Sequence, residues 1–369
     1  MISHVTRPFM RGLLLLLCLS LAFPALHSQT APRVGSPFLP GTEPADVPQD
    51  WKKLIGLFRH DTETVDILER AQKLYWQAKD GPGRWIAEYA IASGPGEEWR
   101  ILQSVPISQK PVPPSSFSIT RAADGTVVEL KMGETLYRRI DAGGDPANYF
   151  HIQLTKPLEQ LRAAALAAQP PVETGPFRKS DLVELTTLDP VIHLDIRYAQ
   201  TNNFLSTAVY TQARAFLQRP AAEALLRVLH KLQPLGYGLL IHDGYRPWYV
   251  TKIFWDATPP ADHNFVADPQ KGSRHNRGCA VDLTLYDLAT GKPVEMTGLY
   301  DEMSPRSFPD FPGGTSLQRW HRDLLRRAME SEGFTVNEDE WWHFDYKDWR
   351  LYPILNVPFE KLGRAAPAG

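Results

Sequence analysis

The chain has 369 residues, of which 43% are hydrophobic and 22% are charged, an ordinary globular composition with enough apolar material for a sizeable core. Its formal net charge is −2 at pH 7, so the chain has no excess of positive charge that would attract nucleic acid. We therefore expect no nucleic-acid partner. A chain of this length predicts two domains or one large one.

The first 28 residues have the pattern of a secretory signal peptide. Arg7 and Arg11 precede the apolar run GLLLLLCLSLAF, and small residues follow it. This run is too short for a good membrane span, which needs roughly 20 apolar residues. We expect cleavage between Ala25 and Ala31. The mature protein is then exported, periplasmic or secreted, and has no transmembrane anchor.

Proline-rich segments divide the rest of the chain. Residues 29–49 predict an extended linker, and the cluster QPPVETGP at 169–176 predicts a domain boundary. We therefore expect a β-rich accessory domain at 50–168 and a second domain at 177–362. After signal removal only Cys279 remains, so neither domain can contain a disulfide.

The segment 50–168 has the pattern of short strands joined by turns. TVDILERAQKLYWQAK alternates apolar and polar residues on both sides of a turn near 70–72, and the Asp-Gly pair at 124–125 is a hairpin signal. A helix is predicted over 158–168. The aromatic residues of this segment could form a face for cell-wall contact, but core packing is their more frequent use. These aromatics are Tyr75, Trp76, Trp85 and Trp99.

Strand and helix periods alternate without a regular rhythm in the second domain. VIHLDIRY (191–198) predicts a half-buried strand, and YGLLIHDGYRPW predicts a strand that runs into a turn. RPAAEALLRVLHKLQPLG and SLQRWHRDLLRRAMESEG predict amphipathic helices that end at glycine. We therefore predict an α+β fold, with a mixed or antiparallel sheet and flanking helices in the second domain.

Two short segments of this domain carry candidate metal ligands. In SRHNRGCAVDLTL, His275 precedes Gly278, which allows a sharp reversal, and Asp282 lies on the strand that follows. In EWWHFDY, His343 follows two tryptophans, and Glu340 needs a bend before the strand to face the same side. The residues alone leave two interpretations open. Either these residues form a zinc site with three protein ligands, or they are ordinary polar positions of a turn and a strand.

The pattern Ser273-x-His275-x-x-Gly278-x-Ala280-x-Asp282, with Glu340-x-Trp342-His343, resembles the paired zinc motif of the LAS-type zinc peptidases. Within that superfamily, DGYRPW, DIRYAQTNNF and AVDLTLYDLATGKPVEM resemble the D-alanyl-D-alanine dipeptidases of the vancomycin-resistance type. The resemblance covers residues 180–358 and leaves out the first domain. Arg274 departs from the pattern, because some relatives have a small residue there, and this puts the substrate affinity in doubt.

The resemblance implies a zinc-dependent hydrolase with one Zn²⁺ per chain, held by His275, Asp282 and His343. It implies that Glu340 is the general base and that Arg246 stabilises the transition state. The implied reaction is hydrolysis of the small dipeptide D-alanyl-D-alanine to two molecules of D-alanine.

The substrate contacts are less specific in the sequence. Asp301 is a candidate partner for the substrate ammonium, and Ser273 is a candidate polar contact near the metal. Asp243 and Asp195 are candidates for orienting Arg246 or a ligand histidine.

Two other functions stay open. The same zinc site in a more open cleft would serve a D,D-carboxypeptidase or endopeptidase that acts on peptidoglycan stem peptides. The other is a zinc-containing binding module without activity. Glu340 and Arg246 argue against a binding module, because a structural zinc site closes its fourth position and needs no base.

Overall fold

The N-terminal part of the chain folds into a closed β-barrel in this computed structural model, which describes residues 38–80, 85–94, 96–102, 116–141 and 151–363. Each barrel strand pairs antiparallel with the next, and the last strand pairs with the first. The elements are α1 Gln49–Leu54, β1 Gly56–His60, β2 Glu63–Arg70, β3 Lys73–Asp80, β4 Trp85–Ser93, β5 Glu98–Ile101, β6 Ser116–Arg121, β7 Val127–Met132 and β8 Thr135–Arg139. The expected signal peptide at 1–28 lies outside the described residues.

Side chains fill the interior of this barrel, as the size of an eight-stranded barrel allows. The ring of Trp76 lies 5.0 Å from that of Phe117 and 5.4 Å from that of Tyr137, measured between centroids. Trp99 is buried in the same cluster. Core packing is therefore the use of Trp76 and Trp99, and the prediction of a β-rich N-terminal part is confirmed.

The two turns predicted in this region are confirmed. Ala71 and Gln72 join β2 to β3 with φ of 50° and 60°, the backbone of a tight two-residue hairpin. Gly125 has φ of 87° in the connection between β6 and β7, where the aspartate-glycine pair predicted a hairpin.

The C-terminal part is built on a five-stranded sheet with the order β10-β12-β13-β15-β14. Strand β10 runs parallel to β12, and the other pairs are antiparallel. A separate two-stranded sheet pairs β9 with β11. The elements are α2 Leu158–Ala167, β9 Leu182–Glu184, β10 Ile192–Leu194, β11 Phe216–Gln218, α3 Arg219–Leu232, β12 Tyr237–Asp243, α4 Trp248–Ala257, β13 Ala280–Asp287, α5 Ser316–Glu330, β14 Phe334–Val336 and β15 His343–Tyr346. The predicted α+β class is confirmed.

The central strand β13 separates a hydrophobic face from a polar one. Val281, Leu283 and Leu285 belong to the core that contains the apolar sides of α3 and α5. Because successive side chains of a strand point to opposite faces, Asp282 and Thr284 share the other face. Both are buried, so this polar face is covered and not left to solvent.

The strand predicted over 191–198 is shorter in the structure. It ends at Leu194, and Arg197–Ala199 forms a single 3-10 turn. Only three of its residues pair with β12, its neighbour in the sheet. The apolar alternation continues past the strand because Ile196 and Tyr198 pack into the core from the turn.

The barrel and the C-terminal part belong to the same compact unit. The amide of Ser316 donates to the carboxylate of Glu69 at the end of β2 (2.6 Å), and the guanidinium of Arg319 donates to the Glu69 carbonyl (2.8 Å). Asp141, just after β8, lies 3.5 Å from the guanidinium of Arg306. These contacts tie one end of the barrel to the first turn of α5 and to the segment that precedes this helix.

Helix α2 packs with the C-terminal part, although it lies within the predicted 50–168 domain. Leu161 and Ala165 are buried in the same core as α3 and α5. The domain boundary at 169–176 stays a prediction. No helix among the described residues has both the length and the apolar character needed to cross a membrane.

Candidate metal centre

Two adjacent strands and one turn bring the three predicted ligands together. Asp282 on β13 and His343 at the start of β15 are direct partners in the antiparallel register. His275 opens a 3-10 turn that ends at Gly278, whose φ of 68° reverses the chain into β13. A Cβ on this glycine would lie 2.5 Å from a methyl carbon of Leu182, so a larger residue cannot take the position without a shift.

The donor atoms of these side chains converge on one point. His343 Nδ1 lies 2.9 Å from Asp282 Oδ1, His275 Nε2 lies 3.3 Å from the same oxygen, and the two nitrogens are 3.1 Å apart. All three residues are buried. Two imidazole nitrogens and one carboxylate oxygen form a donor set that suits catalytic zinc.

Neighbouring acceptors fix which nitrogen of each histidine faces this point. His275 Nδ1 lies 2.7 Å from the carbonyl oxygen of Gly244, which can only accept a hydrogen bond. His343 Nε2 lies 3.1 Å from the carboxylate of Asp345. Both contacts place the ring N–H away from the donor cluster and leave a lone pair inside it.

Arg274, the departure from the family pattern, supports this arrangement. Its guanidinium lies 3.0 Å from the other carboxylate oxygen of Asp345 and stacks over the ring of Trp349 at 5.0 Å. Arg274 therefore helps to hold the carboxylate that orients His343.

The electrostatics of the cluster favour a positive charge at its centre. Burial opposes the charged form of His343, yet hydrogen bonds to the carboxylates of Asp282 and Asp345 raise its pKa to about 10. Burial also opposes ionisation of Asp282, but the charges of His275 and His343 and their hydrogen bonds hold its pKa well below the ordinary value. A cation among these groups is stabilised, so the residues fit a bound zinc ion.

Arg246 lies beside the cluster in a fixed orientation. Its Nε donates to Asp243 (2.9 Å), and its Nη2 lies 3.9 Å from the carboxylate of Asp282. The guanidinium also stacks on the rings of Tyr198 (5.3 Å) and Phe254 (4.8 Å). Asp243 thus orients Arg246, as the sequence proposed, whereas Asp195 contacts Arg197 and His242 instead.

Glu340 approaches the cluster from the turn before β15. Its carboxylate lies 3.7 Å from His343 Nδ1, and the side chain keeps 33% of its surface exposed, so it faces both the donor cluster and solvent. Burial raises the pKa of Glu340, His343 opposes this shift, and the charge of Asp282 adds to it. A carboxylate with a raised pKa is a better proton acceptor near neutral pH.

Asp301 lies near Asp282 and Glu340 and has an unusual backbone conformation. It has φ of 59°, and its carboxylate accepts a hydrogen bond from the hydroxyl of Tyr198 at 2.9 Å. Burial, together with the charges of Asp282 and Glu340, raises the pKa of Asp301 to about 8. A cation in the pocket would oppose this shift. Ser273 contacts the backbone, where its hydroxyl accepts from the amide of His275 at 3.2 Å.

Known proteins match the part of the chain that contains these residues. The peptidase M15 family model, described as D-ala-D-ala dipeptidase, matches residues 178–360. A D-alanyl-D-alanine dipeptidase of Escherichia coli (strain K12) is 36% identical over 180 residues, which are 49% of this chain and 92% of that protein. The enzyme of the same name from Enterococcus faecium is 34% identical over 189 residues, 45% of this chain and 93% of that protein. The chain belongs to the D-Ala-D-Ala dipeptidase family.

The family match does not include the barrel. A third D-alanyl-D-alanine dipeptidase, from Enterococcus faecalis, is 35% identical over 184 residues and covers 44% of this chain. The matched residues of the family model begin at 178, after β8 and α2. The dipeptidase-family part therefore contains all the predicted site residues, and the barrel is an addition to it.

Sequence reasoning missed two tyrosines of this dipeptidase-family site. The hydroxyl of Tyr300 donates to Asp282 Oδ2 at 3.1 Å, and that of Tyr210 donates to Asp243 at 2.7 Å. Tyr300 adjoins the candidate Asp301 in the sequence, but no spacing rule distinguishes it. Tyr210 lies in a loop without any periodic signal.

Proposed function

We propose that the protein is a zinc dipeptidase that hydrolyses D-alanyl-D-alanine to two molecules of D-alanine. The observation that carries this proposal is the convergence of His275 Nε2, Asp282 Oδ1 and His343 Nδ1 next to Glu340, in a chain of the D-Ala-D-Ala dipeptidase family. One zinc ion per chain would be held by these three side chains. When bound, it lowers the pKa of water to about 7 and polarises the peptide carbonyl.

Glu340 takes the proton of the attacking water in this proposal. It reaches the centre of the site without completing the ligand set, and its raised pKa suits a group that must accept a proton and return it to the leaving amine. Asn337 donates to its carboxylate at 3.3 Å and limits its movement.

Arg246 stabilises the negative charge that develops on the carbonyl oxygen. Its charge is always present, and the contact with Asp243 together with the aromatic stack fixes its direction before substrate binds. Such preorganised charge costs no reorganisation during the reaction.

The site suits a short substrate with a free amino group. Arg246 and Asp301 are each only 8% exposed, so the pocket gives little room for a long stem peptide on their side. Asp301 offers a buried carboxylate for the ammonium of a dipeptide. These features favour a dipeptidase over the D,D-carboxypeptidase alternative.

The proposed place of action is outside the cytoplasm. The pattern of residues 1–28 is that of an export signal. An exported dipeptidase would meet dipeptides released from peptidoglycan in the periplasm or the medium, and the barrel could then contact the cell wall.

A substrate panel tests this function. The purified protein is incubated with D-Ala-D-Ala, L-Ala-L-Ala, D-Ala-D-lactate and a pentapeptide stem ending in D-Ala-D-Ala, and its zinc content is measured in the same sample. We expect about one zinc per chain and the highest kcat/KM for D-Ala-D-Ala. Faster release of D-alanine from the pentapeptide would favour the carboxypeptidase. Bound zinc with no hydrolysis of any peptide would favour a binding module.

A further inference from the structure

The two carboxylate oxygens of Asp282 face different partners. Oδ1 lies 2.9 Å from His343 Nδ1 and 3.3 Å from His275 Nε2, so it belongs to the donor cluster. Oδ2 accepts a hydrogen bond from the hydroxyl of Tyr300 at 3.1 Å. Asp282 therefore offers one oxygen to the cluster, while its other oxygen has a partner outside the cluster.

Tyr300, and not Arg246, is the hydrogen-bond donor to this second oxygen. The guanidinium of Arg246 lies 3.9 Å from Oδ2, beyond hydrogen-bond distance, and is held by Asp243 at 2.8 Å instead. A tyrosine hydroxyl keeps its proton at neutral pH and can donate it to a carboxylate. The direction of the Asp282 carboxylate is therefore fixed by Tyr300.

The ring of Tyr300 is itself fixed by its neighbours. The residue is only 3% exposed. Its ring stacks on His242 with 4.4 Å between centroids, and Trp342 packs against it at 5.6 Å in a T-shaped contact. His242 lies in turn against Asp195, with 3.4 Å between Nδ1 and the carboxylate. Packing therefore holds the hydroxyl in place together with the hydrogen bond.

The number of oxygens that an aspartate supplies changes what a metal site can do. A carboxylate can bind a metal through one oxygen or through both. A catalytic zinc site has three protein donors and leaves a position for water, and a second oxygen from Asp282 would compete for that position. The hydrogen bond to Oδ2 opposes this, because the oxygen would lose its donor if it turned toward the metal.

We propose that Tyr300 is a positioning residue of the metal centre, which reserves Oδ2 of Asp282 and leaves Oδ1 as the single oxygen for zinc. The stack on His242 holds the hydroxyl in place for this role. The role of Tyr300 rests on the proposed zinc site, and it is exerted through Asp282 alone.

A second tyrosine, on β13, has the same arrangement away from the ligand set. Tyr286 is also 3% exposed, and its ring stacks on His193 with 4.2 Å between centroids. Its hydroxyl donates to the carbonyl of Val191 at 2.8 Å. Because only the hydroxyl of Tyr300 reaches a proposed metal ligand, the two tyrosines separate an effect on the metal from an effect on the fold.

The test is the zinc affinity of the full-length protein, measured by competition with a chromophoric chelator. Tyr300→Phe keeps the ring and removes only the hydroxyl, so its dissociation constant for zinc should rise by about 10-fold to 100-fold. Tyr286→Phe is the matched control, which loses a similar hydrogen bond and should bind zinc as the wild type does. Equal zinc affinity in Tyr300→Phe and the wild type would overturn the proposal.

Cobalt(II) gives a second readout that does not depend on activity. It binds to nitrogen and oxygen ligands as zinc does, and its visible absorption weakens when a further donor joins the metal. The cobalt form of Tyr300→Phe should absorb less than that of the wild type, because Asp282 can then supply both oxygens. Tyr286→Phe should have the wild-type spectrum. A wild-type spectrum in Tyr300→Phe would mean that Tyr300 does not reserve Oδ2.

A pair of changes at His242 tests the stack without altering Tyr300. His242→Ala removes the ring that packs on Tyr300 and should weaken zinc binding by about threefold, whereas His242→Phe keeps a flat ring and should bind nearly as the wild type does. This pair decides the proposal even if thermal melts show that Tyr300→Phe does not fold. Wild-type zinc affinity in His242→Ala would contradict the proposal.

The same measurements distinguish the role of Tyr300 from the proposed function. If the wild type binds zinc and hydrolyses D-Ala-D-Ala, but Tyr300→Phe has the metal affinity and spectrum of the wild type, only the role of Tyr300 is refuted. A wild type that binds no zinc would refute the zinc site and the role of Tyr300 together.

Discussion

The barrel and the five-stranded sheet use their β-structure in opposite ways. The barrel closes on itself and fills its interior with Trp76, Phe117 and other apolar side chains. The sheet stays open, packs one face on helices and keeps on the other a buried polar network around Asp282 and Arg246. A small barrel that is filled by its own side chains leaves little interior space for chemistry, whereas a covered sheet face can hold charged groups that satisfy one another.

From this comparison we expect the chemistry at the sheet and a supporting role for the barrel. Its sharpest consequence is that His343→Ala should abolish both zinc binding and hydrolysis, because it removes one of three converging donors. Zinc content and kcat/KM for D-Ala-D-Ala check this. His230→Ala, on an exposed surface of α3, is the control and should keep both. Full zinc occupancy in His343→Ala would contradict the ligand assignment.

Glu340→Gln separates catalysis from metal binding. The amide keeps the size of the side chain but cannot accept a proton, so kcat should fall by about 10²–10⁴ while zinc content stays at the wild-type level. The exposed neighbour Glu338 provides the matched control, Glu338→Gln, which should have normal turnover. Near-normal turnover in the Glu340 variant would exclude it as the base.

Arg246→Ala should also spare zinc and reduce turnover. The loss of transition-state stabilisation is roughly 3–4 kcal/mol, on the scale of a deleted oxyanion donor. Because the change removes the guanidinium that pairs with the buried carboxylate of Asp243, thermal unfolding is recorded with the kinetics. Arg326→Ala on α5 is a control for the loss of a surface arginine. A folded Arg246→Ala protein with wild-type kcat/KM would remove Arg246 from the mechanism.

Removal of the barrel tests its supporting role. A fragment of residues 151–369 keeps α2 and the contact of Glu173 with Arg277 (2.6 Å), so we expect it to fold and bind zinc. A fragment of residues 175–369 lacks Leu161 and Ala165, which are buried in the C-terminal core, and should unfold at a lower temperature. Circular dichroism melts and zinc content compare the two. Equal stability would show that α2 contributes little to this core.

A single change at the barrel end should give the smallest effect. Arg306 contacts Asp141 and donates to the carbonyl of Thr297 (2.7 Å), which links the barrel to the segment that contains Asp301. Asp141→Asn should therefore raise KM for D-Ala-D-Ala by roughly 2-fold to 10-fold with little change in kcat, on the scale of one hydrogen bond. Asp61→Asn, in the exposed turn after β1, is the control. A fall in kcat without a change in KM would contradict this positioning effect.

The sequence indicated the clustered side chains of the site better than the groups around them. His275, Asp282, Glu340 and His343 lie in two short motifs, so their local spacing carries the signal. The groups that orient them come from distant segments. The Gly244 carbonyl and the Tyr300 hydroxyl meet the cluster only after the sheet has formed. Barrel closure between β1 and β8 is likewise a long-range pairing that strand patterns cannot predict.

The single described cysteine has a consequence for the proposed export of the protein. Cys279 is fully buried in the core directly before β13, and burial raises the pKa of its thiol to about 12. Oxidants and disulfides react with thiolates, and almost none is present at neutral pH. An exported enzyme with this thiol would resist mixed-disulfide formation and air oxidation without needing a partner cysteine.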